Sequence, residues 1–450
     1  MIPVGYTIAW FGIIPSSRGH LVGLRAALPG LSTWQVMVAA RTIVASLIAG
    51  DLFFYQLIRQ AASLLIVPMS IELGYTQAEK GRLLAAPSLG AIATQAVGGA
   101  ISSRLGARLT VMLSLTGMAV CCMLLPAACT LSFSAGVAVL GLNGLAYGPM
   151  FPTNAVLLSR WMLPSERGWA STQSELAISI ASTFAPLLVT TIEPLVGWRA
   201  CFWCIGLACL LYAVVWMVLA ASSPSQCWFA SKTELALLSG IAGSTPTTDA
   251  TSPPPTTVRS SQVLLHPSIL VLFLVHGVYN LGTLSINSWM PTYYAEVLVL
   301  SAADAKLHLM LPHIVATLAK LAVPSIAASI RGRGASLLAS RKIMCMAGFA
   351  GTAAALTLLP YLLTHSSTTS TTACFCFALA LTGMHAEGCV CLPLKPRRHS
   401  LARQQMHPRS PPCAAQSGPT ISTSQTPTWA LSARWGTVSH RSRQCSPRSW

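Results

Sequence analysis

About ten runs of roughly twenty mostly apolar residues, separated by short gaps, leave this chain few folds to choose from, because about twenty such residues make one bilayer-crossing helix. They fall near residues 44 to 68, 83 to 101, 109 to 131, 134 to 158, 173 to 196, 200 to 221, 268 to 288, 307 to 329, 343 to 363 and 373 to 394. Lys+Arg 28 and Asp+Glu 11 make up only 9% of the 450 residues, against about 25% in a soluble globular chain. With 53% hydrophobic residues, the charged, mixed surface that keeps a protein dissolved cannot be built. A soluble multidomain enzyme is excluded. The fold class is all-α, a polytopic membrane protein whose principal partner is the lipid bilayer. The net charge of +17 does not point to nucleic acid, since most of the Lys and Arg sit in the gaps rather than clustered on a water-exposed domain.

Orientation follows from those gaps. The loop after the second run holds Arg104 and Arg108, the one after the fourth Arg160 and Arg167, and the one after the eighth Arg331, Arg333, Arg341 and Lys342. Even-numbered loops are basic and odd-numbered ones mix signs, which puts the N-terminus in the cytoplasm or on the equivalent side of an organelle. Most of the 14 cysteines lie in or beside apolar runs, where small apolar filling is the default. Two C-x-C pairs, Cys374 with Cys376 and Cys389 with Cys391, carry metal binding as the alternative; no metal site is expected.

Between the sixth and seventh runs, Ser244 to Thr257 is too polar and proline-rich to fold on its own. Six helices, a linker and a second bundle form the layout of transporters made of two parallel halves. The expected division is a leader of uncertain role over 1–40, a six-helix bundle over 41–222, a cytoplasmic linker over 223–262, an incomplete second bundle over 263–394, and a basic tail over 395–450. The leader lacks the basic start of a secretory signal, and its scarcity of acids leaves organelle targeting open. The tail carries 9 Lys or Arg and no acid, and reads as disordered or as the product of a wrong exon or reading frame.

Several motifs stand in order along the chain. They are Ile66 to Tyr75 at the end of the first run, Thr94 to Gly99 in the second, and Gly148-x-x-x-Pro152 followed by Ser159-Arg-Trp-Met-Leu-Pro-Ser-Glu-Arg167 at the fourth. Then come Gly197-Trp198 with Ser222-Ser-Pro224, His276-x-x-x-Asn280-x-Gly282-Thr283, Trp289 to Tyr293, and Arg341 to Met344. Together they resemble the major facilitator superfamily, and within it the anion/cation symporter family of sodium/phosphate cotransporters, vesicular glutamate transporters, sialin and plant anion transporters. The resemblance covers about residues 41 to 394. It implies the superfamily's two-bundle architecture of twelve spans, of which about ten are present here, the pattern ending near Gly388.

The chain also departs from that family. The loop signature reads Gly99-Ala-Ile-Ser-Ser103-Arg104-Leu-Gly106-Ala-Arg108, with Ser103 where the family has the aspartate of a cytoplasmic gating network. Leu140 and Tyr147 stand where its fourth span carries an arginine and a glutamate, and Ile58 replaces its acid before the first-span arginine. Gating through this loop, with Arg160, Glu166 and Arg167, and coupling to Na+ or H+ therefore do not carry over from the resemblance unchanged.

An anion inside a bilayer needs a fixed positive charge or an array of donors. Arg59, mid-way along the first run, falls on the family's first-span arginine, and its guanidinium fork suits carboxylate or phosphate oxygens. The alternative is that it snorkels or pairs with Asp51. His276 and Asn280 are one turn apart on the seventh run, with Thr283 continuing that face and Tyr279 beside it; they either donate to the anion or join helices to one another. Glu175 in the fifth run is a possible coupling acid, or a shallow partner of Arg160 or Arg167. The expected function is secondary active transport of an anion, phosphate first, then glutamate-like carboxylates and ascorbate, by a monomer that needs no cofactor beyond a coupling ion. The competing reading is a truncated, non-transporting membrane protein or a gene-model artefact. No Walker loop, HExxH or G-x-S-x-G element points to an enzyme.

Overall fold

The computed structural model describes residues 39–163, 166–243, 267–365 and 368–389, and every regular element among them is helical. The N-terminal leader, the 244–266 part of the linker and the tail lie outside the described residues. The helices are α1 (Ala40–Leu73), α2 (Gln77–Gln95), α3 (Gly98–Leu105), α4 (Ala107–Leu131), α5 (Phe133–Tyr147), α6 (Met150–Trp161), α7 (Arg167–Leu219), α8 (Lys232–Gly243), α9 (Pro267–Thr292), α10 (Ala302–Gly332), α11 (Leu337–His365) and α12 (Thr368–Cys389).

Helix is what lipid demands, because no water is present to satisfy a free backbone group. Among the described residues six helices are long and apolar enough to cross a membrane, and seven if α2 and α3, bent by 60°, count as one span. The fourth run is divided differently from its sequence pattern, whereas the fifth and sixth, expected over 173 to 196 and 200 to 221, form one helix broken between them. Residues 134 to 158 form α5 and α6, which meet at Gly148 and Pro149. α7 is 53 residues long, about 80 Å at 1.5 Å per residue, more than twice the ~30 Å hydrocarbon core. Gly197 breaks it with φ 78 and ψ 163, a backbone conformation that disfavours a Cβ, so α7 supplies two spans.

The loops carry local signals that stop and start these helices. Gly74 ends α1 in the left-handed region at φ 69. Thr76 and Glu79 form a capping box on α2, each side chain bonding the other's backbone N–H. Ser132 accepts from Ala135 N at 3.1 Å, and Ser301 from Asp304 N at 3.2 Å, at the starts of α5 and α10. α8 lies within the segment expected to be a linker, and it closes the N-terminus of α1, where Glu234 accepts from the backbone N of Ala40 and of Arg41, both at 3.0 Å.

Packing inside lipid cannot use the hydrophobic effect between helices and relies on close fit and interhelical hydrogen bonds. Spans two and four meet through glycine: a Cβ on Gly144 would come within 1.9 Å of Pro87 O, and one on Gly90 within 2.0 Å of Gly141 O. α1 packs on α7 with Gln56 Nε2 donating to Ser182 Oγ at 2.8 Å and Gln173 Nε2 to Ser46 Oγ at 3.2 Å. In the second half α10, α11 and α12 pack together, and the halves meet where α7 contacts α10 and α1 contacts α9. The architecture is the two-bundle layout expected from the sequence.

Candidate functional site

Arg59 lies half-buried on α1 and lines a pocket with Tyr55, Ile58, Leu140, Asn143, Tyr147, Phe202 and, from α9, Ser288 among others. Its Nη1 donates to the hydroxyl of Tyr55 at 2.9 Å, one turn back on the same helix. The Tyr55 ring is held edge-on against Tyr147, centroids 4.8 Å apart, and against Phe151 at 5.1 Å. Tyr147 in turn donates to Pro87 O at 3.2 Å. The guanidinium is therefore oriented by an aromatic wall rather than by a carboxylate. Asp51, the alternative partner read from the sequence, is fully buried and accepts from Asn154 Nδ2 at 2.9 Å; it pairs with Asn154, not with Arg59.

The sequence departures converge here. Leu140 and Tyr147, which stand in place of the family's arginine and glutamate, both line this pocket, as does Ile58. Arg59 is the sole charged side chain among the described residues that line it. An apolar wall around one cation lowers the local dielectric and strengthens its attraction for an anion. The aromatic partners Tyr55 and Phe151 could not be recognised in the sequence, since nothing in a helical run distinguishes a pocket-lining tyrosine from a core one.

The other expected binding residues lie on α9 and are not among those lining the Arg59 pocket. Asn280 Nδ2 donates to His276 O at 2.9 Å within its own helix, and the rings of His276 and Tyr279 are stacked with centroids 5.9 Å apart. Thr283 sits one turn beyond Tyr279. α9 is sparsely packed, with few of its residues buried, whereas most of those of α1 are.

Glu175 does not pair with Arg160 or Arg167. Its Oε2 lies 3.3 Å from Lys320 Nζ on α10, whereas Arg160 Nη1 donates to Ser222 O at 3.4 Å and Arg167 Nη2 to Ser159 O at 3.0 Å. The sequence motifs do not include Lys320, although a lone lysine inside the 307 to 329 run carries the same signal that marks Arg59.

The loop motifs meet at one place, the exit of the sixth span. Arg108 N donates to Ser222 Oγ at 3.0 Å, the Arg108 guanidinium donates to Met217 O, and Trp161 Nε1 donates to Ala221 O at 3.1 Å. Gly106, at φ 84, comes so near that a Cβ there would stand 3.3 Å from Ser222 Oγ, while Gly99 has open space and Arg104 sits in the last turn of α3. Ser103, in the aspartate's place, donates to Ala100 O at 2.8 Å inside its own helix. Beside this hub, Arg41 Nη2 and Glu166 Oε1 are 3.5 Å apart and both buried. Burial holds the Glu166 carboxyl above the ordinary glutamate value, with Glu234 adding to the rise and Arg41 opposing it.

At the opposite end of the bundle the halves are tied to each other. Gln77 and Lys80 at the start of α2 both donate to the Glu296 carboxylate, and Lys306 Nζ donates to Thr191 Oγ1 at 3.2 Å. Glu72 accepts both nitrogens of Arg199, at 2.9 and 2.7 Å, and Trp198 Nε1 at 2.7 Å, next to the Gly197 turn. Among the described residues no three His, Cys, Asp or Glu side chains converge as metal ligands; Cys374 donates to Ala355 O at 3.0 Å.

Spanning helices in two bundles, joined across one end, with a lone arginine in an apolar pocket, define a multi-pass helical membrane protein. A family model described as Major Facilitator Superfamily matches residues 48–394, and the chain belongs to that superfamily. It is similar to the "Probable anion transporter 4, chloroplastic" of Oryza sativa subsp. japonica, with 28% identity over 73% of this chain and 54% of the relative. It also resembles the "Ascorbate transporter, chloroplastic" of Arabidopsis thaliana, with 26% identity over 81% of this chain and 66% of that one. The chain thus spans between half and two thirds of the length of these relatives. In fold it resembles the partially occluded inward open conformation of the xylose transporter XylE from E. coli, at a TM-score of 0.56 and 15% identity, covering 77% of this chain and 85% of that one.

Proposed function

We propose that this chain is a secondary transporter of a small anion, in which substrate binds at Arg59 and crosses as the two halves rock about the site. The observation that carries the reading is the position of Arg59: a lone charge mid-way along α1, in a pocket lined from the first half and by Ser288 of α9. An arginine fork offers paired donors to phosphate or carboxylate oxygens, so inorganic phosphate heads the candidates, with ascorbate and other carboxylates behind it. Membership of the superfamily and the names of the plant relatives support transport, anionic substrates and an organelle as the location of the membrane.

The polar ties support one stage of the cycle. Lys80 and Gln77 with Glu296, and Lys306 with Thr191, hold the halves together at the end away from the basic loops. At the basic end, Arg108 and Arg160 are engaged within the first half, at the sixth-span exit. This arrangement suits a state open toward the basic, cytoplasmic-type side. Uptake of labelled phosphate and of labelled ascorbate into proteoliposomes, each with a sodium gradient, a pH gradient or neither, tests the reading. Saturable uptake of one of them, accelerated by one gradient, is the expected result, and it identifies the coupling ion; no saturable uptake of either above protein-free vesicles would overturn it.

A further inference from the structure

On the seam where α7 meets α10, Lys320 Nζ lies 3.3 Å from Glu175 Oε2 and 3.0 Å from Ser179 Oγ. At 1.5 Å per residue Lys320 stands about 18 Å from the end of α10 and Glu175 about 12 Å from the start of α7, both within runs expected to span the membrane. A lysine at that depth requires a counter-charge, and Glu175 supplies a loose one. The contact is a single nitrogen and a single oxygen, with the Glu175 side chain 50% exposed and that of Lys320 21%, which leaves the pair open to a competing anion. The surroundings are shaped for the lysine all the same: α12 passes with Gly383, where a Cβ would come within 3.0 Å of Lys320 Cγ. His313, two turns earlier on α10, is buried with its Nε2 unpartnered.

We propose that Lys320 is a second anion-binding cation, supplied by the second half, and that Glu175 is its internal counter-ion in the empty state, displaced by an oxygen of the incoming phosphate or carboxylate. Exchanging one anion for another leaves Lys320 neutralised throughout, so the lysine is never a bare charge in the membrane. No covalent bond changes. The proposal rests on the anion reading above and adds a residue, a competitor and a direction of effect to it.

The test is equilibrium binding of radiolabelled phosphate, and separately of ascorbate, to the full chain in nanodiscs at fixed pH and ionic strength. Lys320→Gln is expected to weaken binding about tenfold or more, the loss of a charge-assisted hydrogen bond. Glu175→Gln is expected to tighten it about threefold by removing a weak competitor. The double variant should match Lys320→Gln alone, and Lys320→Arg should retain most of the affinity. Should Lys320→Gln fail to yield folded protein, Glu175→Gln and Lys320→Arg still decide. A Glu175→Gln variant that binds more weakly than wild type makes the pair a structural tie and overturns the proposal, as does unaltered binding by Lys320→Gln. Absence of binding by wild type overturns the anion reading together with it, whereas wild-type binding that ignores both residues overturns this inference alone.

Discussion

The Arg59 guanidinium donates to the Tyr55 hydroxyl at 2.9 Å, and Tyr55 is itself wedged between Tyr147 and Phe151. A chain of aromatic contacts thereby fixes the direction of the one charge in the pocket. Removing only that hydroxyl leaves the ring in place and frees the arginine. Tyr55→Phe is expected to raise the KM for anion uptake about tenfold, from the roughly 1.5–3 kcal/mol that a hydrogen bond to a charged group carries, with the maximal rate less affected. Initial rates in proteoliposomes measure the split; an unaltered KM would show that Tyr55 does not position Arg59.

The glycine seam between the second and fourth spans leaves no room for a side chain at Gly144, whose Cβ would stand 1.9 Å from Pro87 O. Gly144→Val is expected to push the helices apart and destabilise the first half by about 1–3 kcal/mol, the ordinary cost of overpacking. Gly99→Ala, in open space, should have no such effect. Thermal midpoints of the detergent-solubilised protein, read by size-exclusion fluorescence, compare the two, and equal midpoints would contradict the packing described.

Lys80 and Glu296 join the halves at the end away from the basic loops. If this tie holds that end closed in one stage of the cycle, Lys80→Glu alone should slow uptake by placing two acids together. Adding Glu296→Lys should restore much of the rate, since the swap rebuilds the pair with reversed polarity. A double variant as slow as the single one would show that the contact has no part in the cycle.

Glu166 gives a pH dependence whose sign is fixed by its burial. Its carboxyl titrates above the ordinary glutamate value in the folded protein. As pH climbs from the unfolded value through the raised folded one, the unfolded chain releases its proton first, so this group favours unfolding progressively. Relative to Glu166→Gln, wild-type protein should therefore lose thermal stability over that window. Melting curves taken from acid to neutral pH check it; a difference that grows in wild type's favour with rising pH would contradict the burial described.

Much of this architecture was legible because lipid permits so little else: a run of about twenty apolar residues has few options besides a spanning helix. The division of the fourth run at Gly148 and Pro149 was less so, since hydropathy is blind to backbone dihedrals, whereas the break of α7 at Gly197 falls in the gap between the fifth and sixth apolar runs. The capping box of Thr76 and Glu79 was a readable start signal for α2 that an apolar scan passes over. For the candidate site, Arg59 stood out as a charge in the wrong solvent, and Lys320 carried the same mark. Its pairing with Glu175 depended on how the two halves meet, which a single sequence does not encode locally. The same holds for Glu234, whose capping of α1 from beyond the sixth span joins positions 40 and 234.

Whether Arg59 binds the transported anion is decided by uptake of labelled phosphate and ascorbate by wild type and Arg59→Gln, reconstituted at equal density and with equal thermal midpoints. Saturable uptake of at least one anion by wild type is expected, with at least about a tenfold loss in Arg59→Gln, from a hydrogen bond that loses its charge assistance. Uptake by Arg59→Gln equal to that of wild type would contradict binding at Arg59.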